Sequence, residues 1–283
     1  MTSETDEPPL KIMKIEKESY FSVVPILDPK VTCHTVPSTS FHALEISNKS
    51  KIGQVIKLLK ELPENLRHLK RVGKDGKVLL AENFEDAQDI IEKLADSEIT
   101  IDHVKLVQVP ATKPLTRRQF ENAKLCWATG FHPDKELEAL LDNSFSTKQF
   151  NEYVDKWSQL SEEIGCCVVK DSKLISTGKC SLHPLGHPVM DMVQNLPERD
   201  FVSYIGTGCD VFLNSEPCAM CAMALVHFRV KRVFYRRNSQ NGVFKEGRWQ
   251  LHLEPLINHH YEVYRIKNDN ETTDNLSICG NSK

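Results

Sequence analysis

Two short stretches constrain this chain more than anything else in it. Residues 187–189 read His187-Pro188-Val189, and residues 217–221 read Pro217-Cys218-Ala219-Met220-Cys221. Two cysteines three apart in the first turn of a helix put both sulfurs on one side. Pro217 suits a helix start, where no backbone N–H is needed. The positive end of the helix dipole favours thiolate over thiol. A second helix opening at His187 would bring a ring nitrogen to the same point. Two sulfurs and one nitrogen suit tetrahedral zinc, with a fourth position left for water or for a closing group. His187, Cys218 and Cys221 are therefore the candidate ligands, and Zn2+ the candidate ion. His183 is an alternative ligand if its helix starts earlier, although Pro184 and Gly186 make that stretch loop-like. A bare C-x-x-C also fits a pair of buried small residues.

The bulk properties leave room for one large or two ordinary domains in 283 residues. A net charge of −3 carries no overall signal for nucleic acid, though a local basic patch remains open. No run of about 18 apolar residues suggests a transmembrane helix, so no membrane partner is expected. The acidic, polar N-terminus lacks the features of a secretory or transit segment, and the protein is expected to be intracellular. Nine cysteines, an odd count, argue against a complete disulfide framework.

Along the chain, residues 1–18 and 268–283 read as disordered tails. An N-terminal domain is expected over 19–112, with strands at 41–46, 66–72, 77–81 and 99–109 and helices near 52–59 and 84–94. The order βαββαβ is that of the split-βαβ, ferredoxin-like motif. A helical linker over 113–145 follows the Pro110–Pro114 stretch. The zinc domain is expected over 146–267. It comprises a helix at 147–164, a hairpin at 166–178, a helix from His187, strand material at 201–206 and 209–214, a helix from Cys218, and strands at 230–236 and 261–266. The fold class is therefore α/β, with an α+β N-terminal part.

These motifs resemble those of nucleobase deaminases, which carry H-x-E followed by P-C-x-x-C. There the His and two Cys bind zinc and the Glu moves protons. Val189 stands at that Glu position, and valine exchanges no proton at any pH. Longer stretches sharpen the likeness: EPCAMCAMALVH at 216–227, RVFY at 232–235, NHHYEVYR at 258–265 and LRHLKRV at 66–72. Together with H-P-V they resemble the non-catalytic subunit of the eukaryotic tRNA-specific adenosine deaminases. The resemblance implies a cytidine-deaminase-like, three-layer αβα C-terminal domain holding one zinc. It also implies a catalytic partner subunit in a heterodimer, tRNA as the shared substrate, wobble adenosine converted to inosine, and residence in cytoplasm and nucleus. No catalytic residue is then expected in this chain. Asn241-Gly242-Val243-Phe244 departs from the small-residue loop expected there.

For RNA, Arg67, Lys70, Arg71 and Lys74 cluster with Lys77 around a turn, opposed only by Asp75, and Arg117 and Arg118 follow at the linker. Such cations contact phosphates, and the nearby Trp127, Phe131 and His132 could stack on unpaired bases. Solvated faces and core aromatics explain the same residues without RNA. Met220, Met223, Leu225, Val226 and Phe228 make the second zinc helix apolar on most sides, for burial in its own core or against a partner. Two other functions fit part of this pattern: a stand-alone RNA-binding scaffold with a structural zinc, and an active deaminase using a displaced acid such as Asp191.

Overall fold

The strand sequences CCVVK, DVFLNS, RVFYRR and EVYRIKN are mostly apolar with little alternation, as strands covered on both faces must be. In the computed structural model, which describes residues 21–46, 48–95, 101–196, 206–245 and 249–268, they form the centre of a six-stranded sheet. The elements in chain order are β1 (Phe21–Pro25), α1 (Pro29–Thr32), β2 (Ser38–Ile46), α2 (Ile52–Leu58), β3 (Val78–Leu79), α3 (Phe84–Ala95), β4 (Ile101–Pro110), α4 (Arg117–Cys126), α5 (Lys135–Leu141) and α6 (Lys148–Ile164). Then follow β5 (Cys166–Lys170), β6 (Lys173–Gly178), α7 (Pro188–Gln194), β7 (Asp210–Ser215), α8 (Ala219–Phe228), β8 (Arg232–Arg237) and β9 (Glu262–Asn268). The chain divides into two compact units, one of residues 1–26 and 148–283, the other of residues 27–147.

The first unit carries the sheet in the order β1-β9-β8-β7-β5-β6. Strands β7, β8 and β9 run parallel, and the helix α8 makes the crossover between β7 and β8. Side chains alternate between the two faces. Val168, Val211, Leu213, Val233, Tyr235 and Val263 pack with Val189 and Met192 of α7 and Leu225 and Val226 of α8. On the other face Phe212 stacks on Phe234 at 4.7 Å, and Phe234 on Tyr264 at 5.0 Å, one ring per parallel strand. Helix α6 crosses that face, and Tyr153 donates its hydroxyl to Asp210 Oδ2 at 2.7 Å. Asp210 also accepts from Arg232 Nε at 2.8 Å, so this buried carboxylate is neutralised in place. Helices on both faces make the expected three-layer αβα arrangement. Gly178 allows the close approach of α7, because a Cβ there would lie 1.9 Å from Pro188 O.

The edge strand β1 falls inside the expected N-terminal domain but pairs antiparallel with β9, from Phe21↔Asn268 to Pro25↔Tyr264. The chain closes its sheet with a segment nearly a whole chain length away. His252 fastens the end of β1, donating from Nε2 to Ile26 O at 3.1 Å. This ring is 2% exposed, packed edge-on to Phe244, and its Nδ1 has no partner among the described residues. Burial pulls its pKa down to about 4.

The second unit holds an antiparallel sheet in the order β3-β2-β4. Leu44, Ile46, Val78 and Leu80 face α2 and α3, while Phe41, Ala43, Leu79 and Val109 face Leu66, Leu69 and Trp127. The unit reads β2-α2-β3-α3-β4, one strand short of the expected βαββαβ order, because 66–72 is not a strand. That stretch keeps two isolated bridges, Val72↔Val78 beside β3, where the second strand of the motif belongs, and Leu69↔Thr129. Leu66 and Leu69, three apart, bury together as a turn does, and the backbone bonds the 128–130 segment instead: Lys70 N–H to Ala128 O at 2.9 Å, Gly130 N–H to His68 O at 2.7 Å. Helices α4 and α5, expected in a linker, belong to this unit. Residues 1–20, 96–100, 197–205 and 269–283, which include the expected N-terminal tail, all but one residue of the expected C-terminal tail and parts of the strands expected at 99–109 and 201–206, lie outside the described residues.

The β5–β6 turn places both Asp171 (φ 48°) and Ser172 (φ 61°) in the left-handed region that glycine tolerates. Ser172→Gly should therefore raise stability by about 1 kcal/mol, read as a shifted urea midpoint with unchanged slope. For His252, a folded-state pKa of about 4 against an ordinary 6.5 means that its stabilising contribution is full above pH 6.5 and fades as pH falls toward 4. By pH 5 the loss is about 2 kcal/mol. His252→Gln, which keeps a donor for Ile26 O, should lose about that much less stability between pH 7 and pH 5 in parallel urea titrations.

Candidate metal centre

Helices α7 and α8 lie against each other on one face of the sheet, and each starts with a candidate ligand. His187 is the N-cap of α7, with extended backbone (φ −76°, ψ 150°) and Pro188 as the first helical residue. Cys218 is the N-cap of α8 (φ −74°, ψ 171°), and Cys221 sits one turn in. The His187 side chain makes no bond to its own helix, and the Cys218 sulfur turns toward Cys221 one turn in, so both face a common centre. His187 Nδ1 lies 3.4 Å from Cys218 Sγ and 3.4 Å from Cys221 Sγ. The three donor atoms fall within 4.8 Å of one another.

This triangle fits zinc. With Zn–S near 2.3 Å and Zn–N near 2.05 Å, a tetrahedral angle separates sulfur from nitrogen by roughly 3.6 Å. The pKa of the Cys218 thiol is lowered to about 5, chiefly by the hydrogen bond from the Cys221 thiol, with help from the Cys221 backbone N–H and the nearby His187. A thiolate is the form that binds metal. His183 is exposed, and its Nδ1 accepts the Leu185 N–H at 3.1 Å, so it serves its own loop and leaves His187 as the histidine of the centre.

Beside the three donors is a cavity of about 190 Å³, lined among others by Gly165, Val189, Leu213, Asn214, Glu216 and Asn241. Val189 is 2% exposed and belongs to the apolar core behind the cavity. Asp191 does not line this cavity. Its Oδ2 accepts the Lys179 N–H at 2.8 Å and an Asn195 side-chain N–H at 3.1 Å.

Glu216 is not singled out by the motif, and among the described residues it is the one carboxylate that lines the cavity. It is 1% exposed, and backbone donors occupy it: Phe244 N–H at 2.7 Å and Lys245 N–H at 2.8 Å on Oε1, Ser239 N–H at 3.2 Å on Oε2. Gly242 pairs with Cys218 in an isolated antiparallel bridge, and a Cβ on it would lie 2.0 Å from Glu216 Oε2. The departure at 241–244 thus retains the one small residue that this contact requires. The sequence signal for Glu216 is an acid immediately ahead of Pro-Cys.

Of the apolar residues on α8 expected in the chain's own core or against a partner, Leu225, Val226 and Phe228 belong to the chain's own core. Met220 and Met223 are half-buried beside them.

In the other unit Arg67, Lys70 and Lys74 are exposed around the 66–76 turn, Arg67 with Glu61 at 3.7 Å. Lys77 is paired with Asp75. Arg71 is turned inward: its guanidinium donates to Leu79 O at 2.9 Å, Leu80 O at 3.2 Å and Lys60 O. Trp127 is a core residue at 5% exposure, its Nε1 donating to Lys70 O at 2.8 Å, and it pins the turn instead of offering a stacking face. Arg117 and Arg118 are exposed in the first turn of α4. Phe131 is half-buried and stacked on Phe120 at 5.0 Å, and His132 is exposed. No helix among the described residues is long and apolar enough to cross a membrane.

Comparison with known proteins agrees with this geometry. The family model for the cytidine and deoxycytidylate deaminase zinc-binding region matches residues 144–237. The probable inactive tRNA-specific adenosine deaminase-like protein 3 of Danio rerio is 30% identical over 330 aligned positions, covering 92% of this chain and 96% of that protein. The human protein of the same name is 32% identical over 214 positions, covering 56% of this chain and 61% of its own length. The tRNA-specific adenosine deaminase subunit tad3 of Schizosaccharomyces pombe is 24% identical over 256 positions, 76% of this chain and 79% of that one. On the near-complete match to the zebrafish protein, this chain belongs to the family of the probable inactive tRNA-specific adenosine deaminase-like protein 3.

Proposed function

We propose that this chain is the non-catalytic, zinc-binding and tRNA-binding subunit of a heterodimeric deaminase that hydrolyses the wobble adenosine of tRNA anticodons to inosine. One observation carries the reading: three metal donors stand in tetrahedral spacing beside a cavity whose acid position is filled by the buried Val189. General acid–base steps contribute about 10²–10⁴-fold, and neither neighbouring carboxylate is placed to supply one: Asp191 lies outside the cavity lining. Asp191 is tied to Lys179, and Glu216 is saturated by three amides. His187, Cys218 and Cys221 would hold the zinc. Bound there, the ion supplies positive charge that ties the starts of α7 and α8 together. The proton transfer of the reaction then belongs to a partner chain that carries Glu at the position of Val189.

The tRNA contacts fall to the exposed cations Arg67, Lys70 and Lys74 and to Arg117 and Arg118. Arg71 is left out of this set, because its guanidinium is spent on backbone carbonyls.

Two outcomes follow. Co-expression with a Glu-bearing deaminase chain should yield inosine in tRNA at a rate at least 10²-fold above either chain alone, read by primer extension across the anticodon. A pair no more active than the partner by itself would end the heterodimer reading. For the RNA surface, replacing Arg67, Lys70 and Lys74 with Ala should weaken tRNA binding by the complex. The plot of log affinity against log salt should also flatten, by roughly 0.7–0.9 for each phosphate no longer neutralised. An unchanged slope would remove these residues from the interface.

A further inference from the structure

Glu216 is a buried carboxylate with no cation among its described contacts. It is saturated by amide donors and set two residues before a metal-binding cysteine. Its donors all come from one segment, 239–245, which follows β8 and forms one wall of the metal cavity through Asn241. The same segment meets the chain a second time where Gly242 bridges Cys218. Glu216 itself is held from behind, its N–H donating to Arg237 O at 2.8 Å at the end of β8. So the three residues Glu216-Pro217-Cys218 are fastened between β8 and the 239–245 segment, and Pro217 limits the backbone between the two attachments.

We propose that Glu216 is the positioning residue of the metal centre: its carboxylate binds the 239–245 segment to the backbone carrying Cys218, and this fixes the Cys218 sulfur for the ion. The physical basis is local. Cys218 stands at a helix N-cap, where no intrahelical bond holds its own N–H and the backbone is extended. Within α8 the cap is held through its carbonyl, which accepts the Ala222 N–H at 2.9 Å; the bridge to Gly242 holds it from outside the helix, and Gly242 stays there because Glu216 grips the amides on both sides of it. A carboxylate satisfies three N–H groups at once, and charge-assisted bonds of this kind are about twice as strong as neutral ones. A carboxamide of the same shape must turn an N–H₂ group toward either the Ser239 donor or the Phe244–Lys245 pair. The same occupancy means that Glu216 anchors and does not exchange protons.

The inference rests on the zinc reading above, and the test separates the two. Full-length wild type, Glu216→Gln and Gly242→Ala are loaded with zinc. Metal content, the release rate to a chromogenic chelator, and the visible spectrum of the cobalt-substituted protein are then measured. Amide exchange of 239–245 is followed in parallel. The expected result is one zinc per wild-type chain and release at least ten-fold faster from Glu216→Gln, with a changed cobalt spectrum and faster exchange at 244–245. Gly242→Ala keeps the carboxylate but pushes on it, and should shift the same readouts in the same direction even if the Gln variant folds poorly. If wild type holds zinc and both variants release it at the wild-type rate with an unaltered cobalt spectrum, while 239–245 exchanges faster, then Glu216 anchors a loop only and the proposal is overturned. A wild-type chain that takes up no zinc overturns the zinc reading, and this inference with it.

Discussion

Everything at the candidate site depends on two helix N-termini being held at one point. Each helix start carries unpaired N–H groups and roughly half a positive charge. Two such ends facing one centre repel each other unless negative charge lies between them. Cys218 supplies it, its thiol pKa lowered to about 5, with Cys221 alongside. The packing enforces the meeting from behind: Gly178 lets α7 sit down on β6, and Val189, Met192, Leu225 and Val226 fill the space under both helices. The donor set of His187, Cys218 and Cys221 is one that a divalent ion would fit. An ion held by these donors would have a structural use independent of any chemistry performed on a substrate.

That independence explains why Val189 is compatible with an intact donor set. A carboxylate at a position 2% exposed would need partners to offset its desolvation, as Glu216 has in its three amides and Asp210 in Arg232. In an active site the zinc and the reacting base provide that compensation, and the half-satisfied acid is useful. Where no proton has to move, a β-branched apolar side chain fills the same space and adds to the core on which α7 rests. Donors and acid therefore answer to different demands, and one can be lost while the other stays.

The parts of this arrangement that could be read from the sequence are those encoded within a few residues. Cysteines three apart after a proline, a histidine ahead of a proline, and the apolar strands each carry their own signal. The features that were not legible depend on distant segments. Strand β1 is five residues after a polar stretch, and its identity comes only from pairing with β9. The 66–72 stretch has strand-like composition, yet Leu66 and Leu69 bury on one side and Trp127 ties Lys70 O, so a turn wins over a strand. Arg71 looks like its basic neighbours; only the carbonyls of Leu79 and Leu80, brought within reach by that turn, make it an internal residue. Glu216 stands inside the motif itself, but its meaning lies in the amides of Ser239, Phe244 and Lys245, which no spacing rule within 216–221 could supply.

The two carboxylates closest to the centre complete the logic. An acid acts as a proton carrier only if one oxygen is free to lose and regain a partner at the reacting atom. Asp191 gives its bonding oxygen to Lys179 and Asn195, holding the loop that leads to His187. Glu216 gives both oxygens to the segment that bridges Cys218. Each thus anchors the approach to one candidate ligand, Asp191 from outside the cavity and Glu216 from within its wall. In this chain the acids nearest the three donors hold the surrounding backbone in place.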